Sequence, residues 1–139
     1  MKHILFVGMI SFLLFTSCDN FLSSEEKDGV YLDYLGKSTE YEEMIQFRLI
    51  NNSNASIEYW GYGSKSPFYN YQIKNDTGWS ANMLGWCGTG AGVNELSTNS
   101  NIEFRSTKPK NTSVWRLIFH YKIKGLEEVE TIYSVPIQN

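Results

Sequence analysis

Cysteine and histidine are scarce in this chain, and their scarcity limits the chemistry available to it. The 139 residues include two cysteines, Cys18 and Cys87, and two histidines, His3 and His120. A zinc site draws three or four ligands from histidine, cysteine and carboxylates, so this stock does not favour one. Cys87 as a nucleophile with His120 as its base would be the minimum for acyl transfer, but no spacing brings them together. The sequence therefore predicts no metal, no cofactor and no catalytic residues.

Features that bind nucleic acid or phosphate are also missing. The chain has 12 Lys and Arg against 15 Asp and Glu, a formal net charge of -3, with both signs scattered along it. Nucleic-acid-binding proteins carry a basic patch or stripe, so no nucleic-acid partner is expected. The glycines of residues 85–92 lack the Gly-Lys-Ser/Thr ending of a phosphate loop. We interpret that segment as a bent connection or strand bulge.

No apolar run is long enough to cross a membrane. The longest covers residues 4–15 and ends before Thr16-Ser17-Cys18, whereas a spanning helix needs about 20 apolar residues. A short apolar run behind a polar head is typical of an export signal. The sequence Leu14-Phe15-Thr16-Ser17-Cys18 resembles the lipobox of bacterial lipoproteins.

The lipobox resemblance carries specific implications. It implies that residues 1–17 are a cleaved signal peptide and that Cys18 becomes the first residue, carrying diacylglycerol on its thiol and an acyl chain on its amine. Several chains give a stable anchor where one does not. The mature protein is then expected in the cell envelope, attached to a membrane and facing the periplasm or the cell exterior.

The remaining chain is predicted to be a tether followed by one domain. Removing 17 of 139 residues leaves 122, the size of a single domain. Residues 18–37 are rich in Ser, Glu, Asp and Gly, and we interpret them as a lipidated flexible tether. Residues 38–139 are assigned to the folded domain.

Alternation of apolar and polar residues predicts that this domain is all-β. The longest stripe places Trp115, Leu117 and Phe119 on one face and His120 on the other. Short strands separated by Gly, Asn and Ser turns favour an antiparallel β-sandwich, with a small closed barrel as the alternative. The strand number resembles immunoglobulin-like modules, without their bridging cysteines. The predicted strands cover residues 44–50, 57–62, 69–74, 102–105, 114–123 and 129–137, and residues 79–96 are expected to form a long loop with short strand fragments.

Aromatic residues are abundant, at 15% of the chain, and many cluster in residues 59–86. Because neighbours in a strand point to opposite faces, adjacent aromatics cannot all enter one core. Exposed aromatics mark surfaces that bind sugars, peptides or proteins; two buried faces, or a loop covering the cluster, are the alternative. Cys87 beside Trp86 is interpreted as a packed core residue. The candidate binding residues are Trp60, Tyr62, Trp79 and Trp86.

These observations predict a non-enzymatic, membrane-anchored module that binds a protein, peptide or glycan outside the cytoplasm. The alternative is an extracytoplasmic enzyme or protease inhibitor that acts through the loop of residues 79–93.

Overall fold

The structure is a computed structural model that describes residues 27–41 and 43–139. The predicted signal peptide, Cys18 and the first part of the tether lie outside the described residues. Within the described residues, no helix could cross a membrane, and ten strands form the fold. The strands are β1 (Gly29–Lys37), β2 (Met44–Asn52), β3 (Ile57–Gly61), β4 (Asn70–Asn75), β5 (Gly78–Asn82), β6 (Gly92–Leu96), β7 (Ser100–Thr107), β8 (Val114–Ile123), β9 (Val129–Tyr133) and β10 (Ile137–Gln138).

The strands form two antiparallel sheets that pack face to face. The smaller has the order β1-β2-β7, and the larger has the order β5-β4-β8-β3-β6, with β9 and β10 also paired to β8. Neither sheet closes on itself. The predicted antiparallel β-sandwich is confirmed, and the alternative of a closed barrel is wrong. The more specific resemblance to immunoglobulin-like modules stays a prediction.

Part of the predicted tether is a strand of the domain. β1 pairs with β2 from Gly29 opposite Asn52 to Lys37 opposite Ile45, and it buries Leu32 in the core. The tether boundary at residue 37 is therefore wrong. The strand escaped the sequence analysis because its register shifts between Tyr34 and Gly36, which breaks the alternation that marks a strand.

The core lies between the sheets and follows the alternation seen in the sequence. In β2 every second residue is buried, as its apolar alternation requires, with Phe47 fully buried. In β8, Trp115 is fully buried, and its ring lies 6.2 Å from that of Phe47 on the facing sheet. The buried faces of β2 and β8, the strands with the most regular alternation in the sequence, thus contact each other between the two sheets. The buried hydrophobic side chains of β2 and β8 are Ile45, Phe47, Leu49, Trp115, Leu117, Ile118 and Phe119.

The region predicted as a long loop contains two complete strands. β5 pairs with β4 through a turn in which Asn75 Oδ1 accepts hydrogen bonds from the backbone N and Oγ1 of Thr77. β6 pairs with β3. Only residues 83–91 lie between these two strands. Both are edge strands of the larger sheet, where polar and small residues replace the alternating stripe.

The predicted last strand is divided in two. β9 ends at Tyr133, and β10 begins at Ile137. Between them, Ser134 is buried, its N donates to Leu117 O, and its Oγ accepts from Leu117 N, both at 3.0 Å. Pro136 follows and has no N–H to donate to a continuous ladder.

Candidate functional site

The four candidate binding residues lie in two different places. Tyr62 and Trp86 belong to one aromatic cluster, with ring centroids 6.3 Å apart. Trp60 and Trp79 lie instead on the outer face of the larger sheet, at opposite ends of it. Trp60 on β3 opposes Val93 on β6, and Trp79 on β5 opposes Lys74 on β4. Strand β8 lies between these two pairs of strands in the sheet.

The cluster around Trp86 is mainly a packing feature. The Trp86 ring stacks on Phe68 at 4.8 Å and meets the edge of Tyr69 at 5.0 Å. Its Nε1 donates to Tyr69 O at 2.7 Å. Leu84 N donates to Asn70 Oδ1 at 2.9 Å. The segment 83–91 is therefore fixed onto the start of β4 and covers part of the aromatic set.

Cys87 lies in this covering segment but not in the core. It is an exposed free thiol among the described residues, so its interpretation as a packed core residue is wrong. Its carbonyl accepts a hydrogen bond from the Tyr62 hydroxyl. Hydrogen bonds from the backbone and then the side chain of Thr89 lower the pKa of the Cys87 thiol. His120 lies on β8, where its Nδ1 is 2.9 Å from Thr131 Oγ1.

A groove opens beside Trp60 on the outer face of the larger sheet. β3 and β8 pair over only two positions, Ile57 with Ile123 and Glu58 with Lys122. Beyond Glu58, strand β3 turns away, and Trp60 O accepts instead from Phe68 N at 2.8 Å. The separation leaves a cavity of about 310 Å³. Its lining residues are Glu58, Tyr59, Trp60, Val93, His120, Tyr121, Lys122 and Val129.

The rim of the groove combines exposed apolar surface with paired polar groups. The exposed fraction is 57% for Trp60 and Val93 and 56% for Val129. Lys122 Nζ lies 3.0 Å from Glu127 Oε2. His120 is engaged by Thr131. The groove therefore offers mostly apolar contact, with few polar groups left free.

A stacked arginine occupies the other half of the same face. The guanidinium of Arg116 lies 4.4 Å from the centroid of the Trp79 ring and 4.1 Å from that of Tyr133. Arg116 Nε donates to Gln72 Oε1 at 2.7 Å. Lys74 Nζ lies 5.5 Å from the Trp79 centroid. We call the outer surface of the larger sheet the aromatic face, defined by Trp60, Trp79, Val93, Arg116, Val129 and Tyr133.

The outer surface of the smaller sheet has a different chemistry. Arg48 Nη2 pairs with Glu103 Oε1 at 2.6 Å, and Gln46 Nε2 donates to Glu103 Oε2 at 2.7 Å. Arg105 pairs with Glu40. The hydrogen bond from Arg48 holds the pKa of the Glu103 carboxyl below its usual range. We call this surface the ion-paired face, because both of its arginines have carboxylate partners. Arg105 also lies 4.9 Å from the centroid of the Tyr41 ring, which is 49% exposed, so the two faces differ in the pairing of their arginines and not in the presence of an exposed ring.

The described residues show no constellation for metal or nucleophilic chemistry. In residues 27–41 and 43–139, no group of three or more His, Cys, Asp and Glu could hold a metal ion. Cys87 and His120 lie on separate elements, and none of the hydrogen bonds described for either reaches the other.

Arg116, Tyr133, Val93 and Val129 were not among the residues predicted from the sequence. Alternation along β8 already places Arg116 on the face opposite Trp115. Its aromatic neighbours, however, come from β5 and β9, and only the cross-strand register brings them together.

Comparison of the chain with protein-family models, curated proteins and solved structures finds no match.

Proposed function

We propose that this protein is a membrane-anchored lipoprotein whose domain binds a partner outside the cytoplasm without catalysing a reaction, and that it binds through the aromatic face. The observation that carries the proposal is the contrast between the two outer faces. On the ion-paired face both arginines have carboxylate partners. On the aromatic face the half-buried Arg116 is stacked between two rings without a carboxylate partner among the described residues, and Trp60 and Tyr133 are exposed.

The residue types on the aromatic face support this assignment. Trp, Tyr and Arg are enriched in the few interface residues that supply most of the binding energy. Contiguous exposed apolar surface is uncommon on soluble monomers and marks an interaction site. The rings of Trp60 and Tyr133 are 57% and 44% exposed. They provide large contact areas at low cost in conformational entropy.

The position of β1 refines the expected distance from the membrane. Residues 18–28 would connect a lipidated Cys18 to the first strand residue, Gly29. At about 3.3–3.6 Å per residue, this connection spans roughly 35 Å when fully extended. The domain would therefore stay close to the membrane that carries it, which suits a partner located in the same envelope.

The alternative of an enzyme or inhibitor that acts through residues 79–93 needs a projecting loop. Both ends of that segment belong to strands β5 and β6, and Trp86 in its middle packs on Tyr69. Residues 87–90 are exposed, but the strands at both ends and the packing of Trp86 restrict the segment, so we keep the binding module as the proposal.

A matched pair of variants tests the proposal. The protein is affinity-purified from the membrane fraction of its native host as wild type, Trp60→Ala and Ile50→Ala, the last lying outside the aromatic face. We expect a partner that co-purifies with the wild type and with Ile50→Ala and is lost with Trp60→Ala. Loss with both variants, or with neither, would overturn the assignment of the aromatic face. Thermal unfolding of all three proteins shows whether each is folded.

A further inference from the structure

We propose that Arg116, clamped between Trp79 and Tyr133, binds a carboxylate of an acidic, extended peptide segment in the partner protein, and that the Trp60 groove takes an apolar side chain of the same segment. This inference rests on the proposed function, because it names the chemistry of the partner at the same face.

The first step is that Arg116 is held in place before any ligand arrives. Trp79 and Tyr133 lie within 4.4 Å and 4.1 Å of the guanidinium carbon. Gln72 accepts from Nε at 2.7 Å. A side chain fixed by two stacking contacts and one hydrogen bond loses little further freedom on binding. The fork of donors in a guanidinium matches the two oxygens of a carboxylate.

The second step is that the charge of Arg116 is not compensated. The chain has three arginines, Arg48, Arg105 and Arg116. Arg48 and Arg105 pair with Glu103 and Glu40 on the ion-paired face. Among the described residues, Arg116 has no carboxylate partner, and its one side-chain hydrogen bond uses Nε, not the Nη groups.

The surroundings of Arg116 strengthen the positive character of this half of the face. Lys74 also lies there without a carboxylate partner in the described part of the chain, against the Trp79 ring. The outward positions around Arg116 on the adjoining strands carry no acid. They are Asn70, Gln72, Lys74, Trp79, Ala81, Ile118, Thr131 and Tyr133. A positive patch on a chain of net charge -3 complements an acidic segment.

The third step favours a peptide over a sugar chain. Sugar hydroxyls need several free donors and acceptors, but the Trp60 groove is lined mainly by apolar side chains. Of its three polar lining residues, Lys122 and His120 already contact Glu127 and Thr131, and Glu58 is the third. A buried aromatic or aliphatic anchor surrounded by polar contacts is the usual core of a protein interface.

The two subsites set a spacing for the ligand. On β8, Arg116 forms the first subsite and His120 lines the Trp60 groove, which is the second. The two residues are four strand positions apart, or about 13 Å at 3.3 Å per residue. In an extended peptide, residues at positions i and i+4 lie on one side at the same separation. The recognised segment should therefore carry an Asp or Glu and a large apolar residue four positions apart.

A random peptide display library selected against the purified mature protein tests this inference. The same selection is run on Arg116→Gln, on Arg116→Lys, and on Arg48→Gln, which removes an equal charge from the ion-paired face. We expect the wild type and Arg48→Gln to enrich peptides with the acidic and apolar pair. For the best peptide, Arg116→Gln should weaken binding by about tenfold or more, because the charge-assisted hydrogen bonds to the carboxylate are lost. Arg116→Lys should weaken binding by less, because lysine keeps the positive charge and loses only the paired donors of the guanidinium. Added salt should weaken binding to the wild type more than to Arg116→Gln.

Three results would overturn the inference. Enrichment of neutral or basic peptides would exclude carboxylate recognition. Equal affinity of Arg116→Gln and wild type for the selected acidic peptides would exclude Arg116. Binding of an acidic polysaccharide with the same dependence on Arg116, and of no peptide, would exclude a protein segment. The affinity purification described above separates this inference from the proposed function. If it yields a native partner that is lost with Trp60→Ala, the proposed function stands even when the peptide inference fails. If it yields no such partner, the proposed function and the peptide inference both fail.

Discussion

At the residue scale, Asn51 is the polar side chain most deeply built into the fold. It is fully buried at the end of β2. Its Nδ2 donates to Ala55 O at 2.9 Å and to Leu96 O at 3.0 Å. Its Oδ1 accepts from Ser53 N at 3.1 Å and from Ser53 Oγ at 2.6 Å. One amide therefore closes the turn after β2 and ties it to the end of β6.

Replacing Asn51 by Ala should destabilise the protein by about 1–3 kcal/mol, since buried backbone groups lose their partners. Urea unfolding followed by tryptophan fluorescence measures the change in unfolding free energy. Asn54→Ala, at an exposed position of the same turn, serves as the control and should stay within about 0.5 kcal/mol of wild type. Equal stability of the two variants would contradict the role given to Asn51.

Tyrosine burial predicts a loss of stability at alkaline pH. Burial raises the pKa of Tyr59 to about 12 from its ordinary value of 10.0, and burial also raises the pKa of Tyr69. The folded state then holds protons that the unfolded state has released. Stability is fully present below pH 10 and falls as the pH rises towards 12, because the unfolded state binds fewer protons.

Chemical unfolding at a series of pH values from 8 to about 12 checks this expectation. Tyr59→Phe removes one of the groups responsible and should make the decline shallower than in the wild type. It also removes the hydrogen bond from the Tyr59 hydroxyl to Ser64 O, at 2.7 Å, so its stability at neutral pH should be lower. An unchanged slope in Tyr59→Phe would contradict the assignment.

At the element scale, the junction of β3 and β4 depends on a glycine. Gly61 forms an isolated bridge with Pro67 where β3 leaves β8. A Cβ at position 61 would lie 2.4 Å from Ser66 O and 2.9 Å from Pro67 Cα. Both obstacles are backbone atoms, so relief requires the connection between the strands to move.

Gly61→Ala should therefore destabilise the protein by about 1–3 kcal/mol through overpacking. Gly92→Ala is a matched control, because Gly92 opposes Gly61 on β6 and a methyl group added to Gly92 would meet no atom within 4 Å. It should change stability by less than about 0.5 kcal/mol. Differential scanning calorimetry of both variants decides the point, and equal melting temperatures would count against the close approach.

The strands show where sequence patterns succeed. β2 and β8 have one face fully in the core, so their alternation is regular and both were predicted, β8 with its observed ends. β1 buries only Leu32 completely and shifts register at its far end. β5 and β6 are short edge strands with few buried side chains. Edge strands obtain their stability from pairing with a neighbour, which leaves a weak pattern in their own residues.

At the scale of the whole molecule, the proposed lipid anchor yields a direct prediction. Cys18→Ser should remove the acceptor of the lipid and release the protein from the membrane fraction, because acyl chains supply the attachment. Cys87→Ser is the matched control, since it removes the other cysteine of the chain and should leave the protein at the membrane. Fractionation and intact-mass analysis of protein from the native host measure the outcome. An unmodified sulfur at Cys18 would contradict the anchor.

The candidate site was only partly predictable from the sequence. The sequence has more clustered aromatic residues than one core can bury, and on this ground Trp60 and Trp79 were predicted to be binding residues. Both lie on the outer face of the larger sheet. The same reasoning nominated Tyr62 and Trp86, whose rings lie 6.3 Å apart in a separate cluster, with Trp86 supplied by segment 83–91 and Tyr62 partly exposed. Aromatic residues in loops have no alternation to assign them a side, so the sequence could not separate the two pairs.

The sequence by itself determined the fold class, because period-two alternation is a local property that any half-buried strand must show. It also determined which faces of β2 and β8 form the core. Only the tertiary structure decided the register between strands, and with it the stacking of Arg116 between Trp79 and Tyr133. Those three residues lie on three different strands, and contacts between distant segments depend on how the sheets assemble rather than on any one segment's pattern.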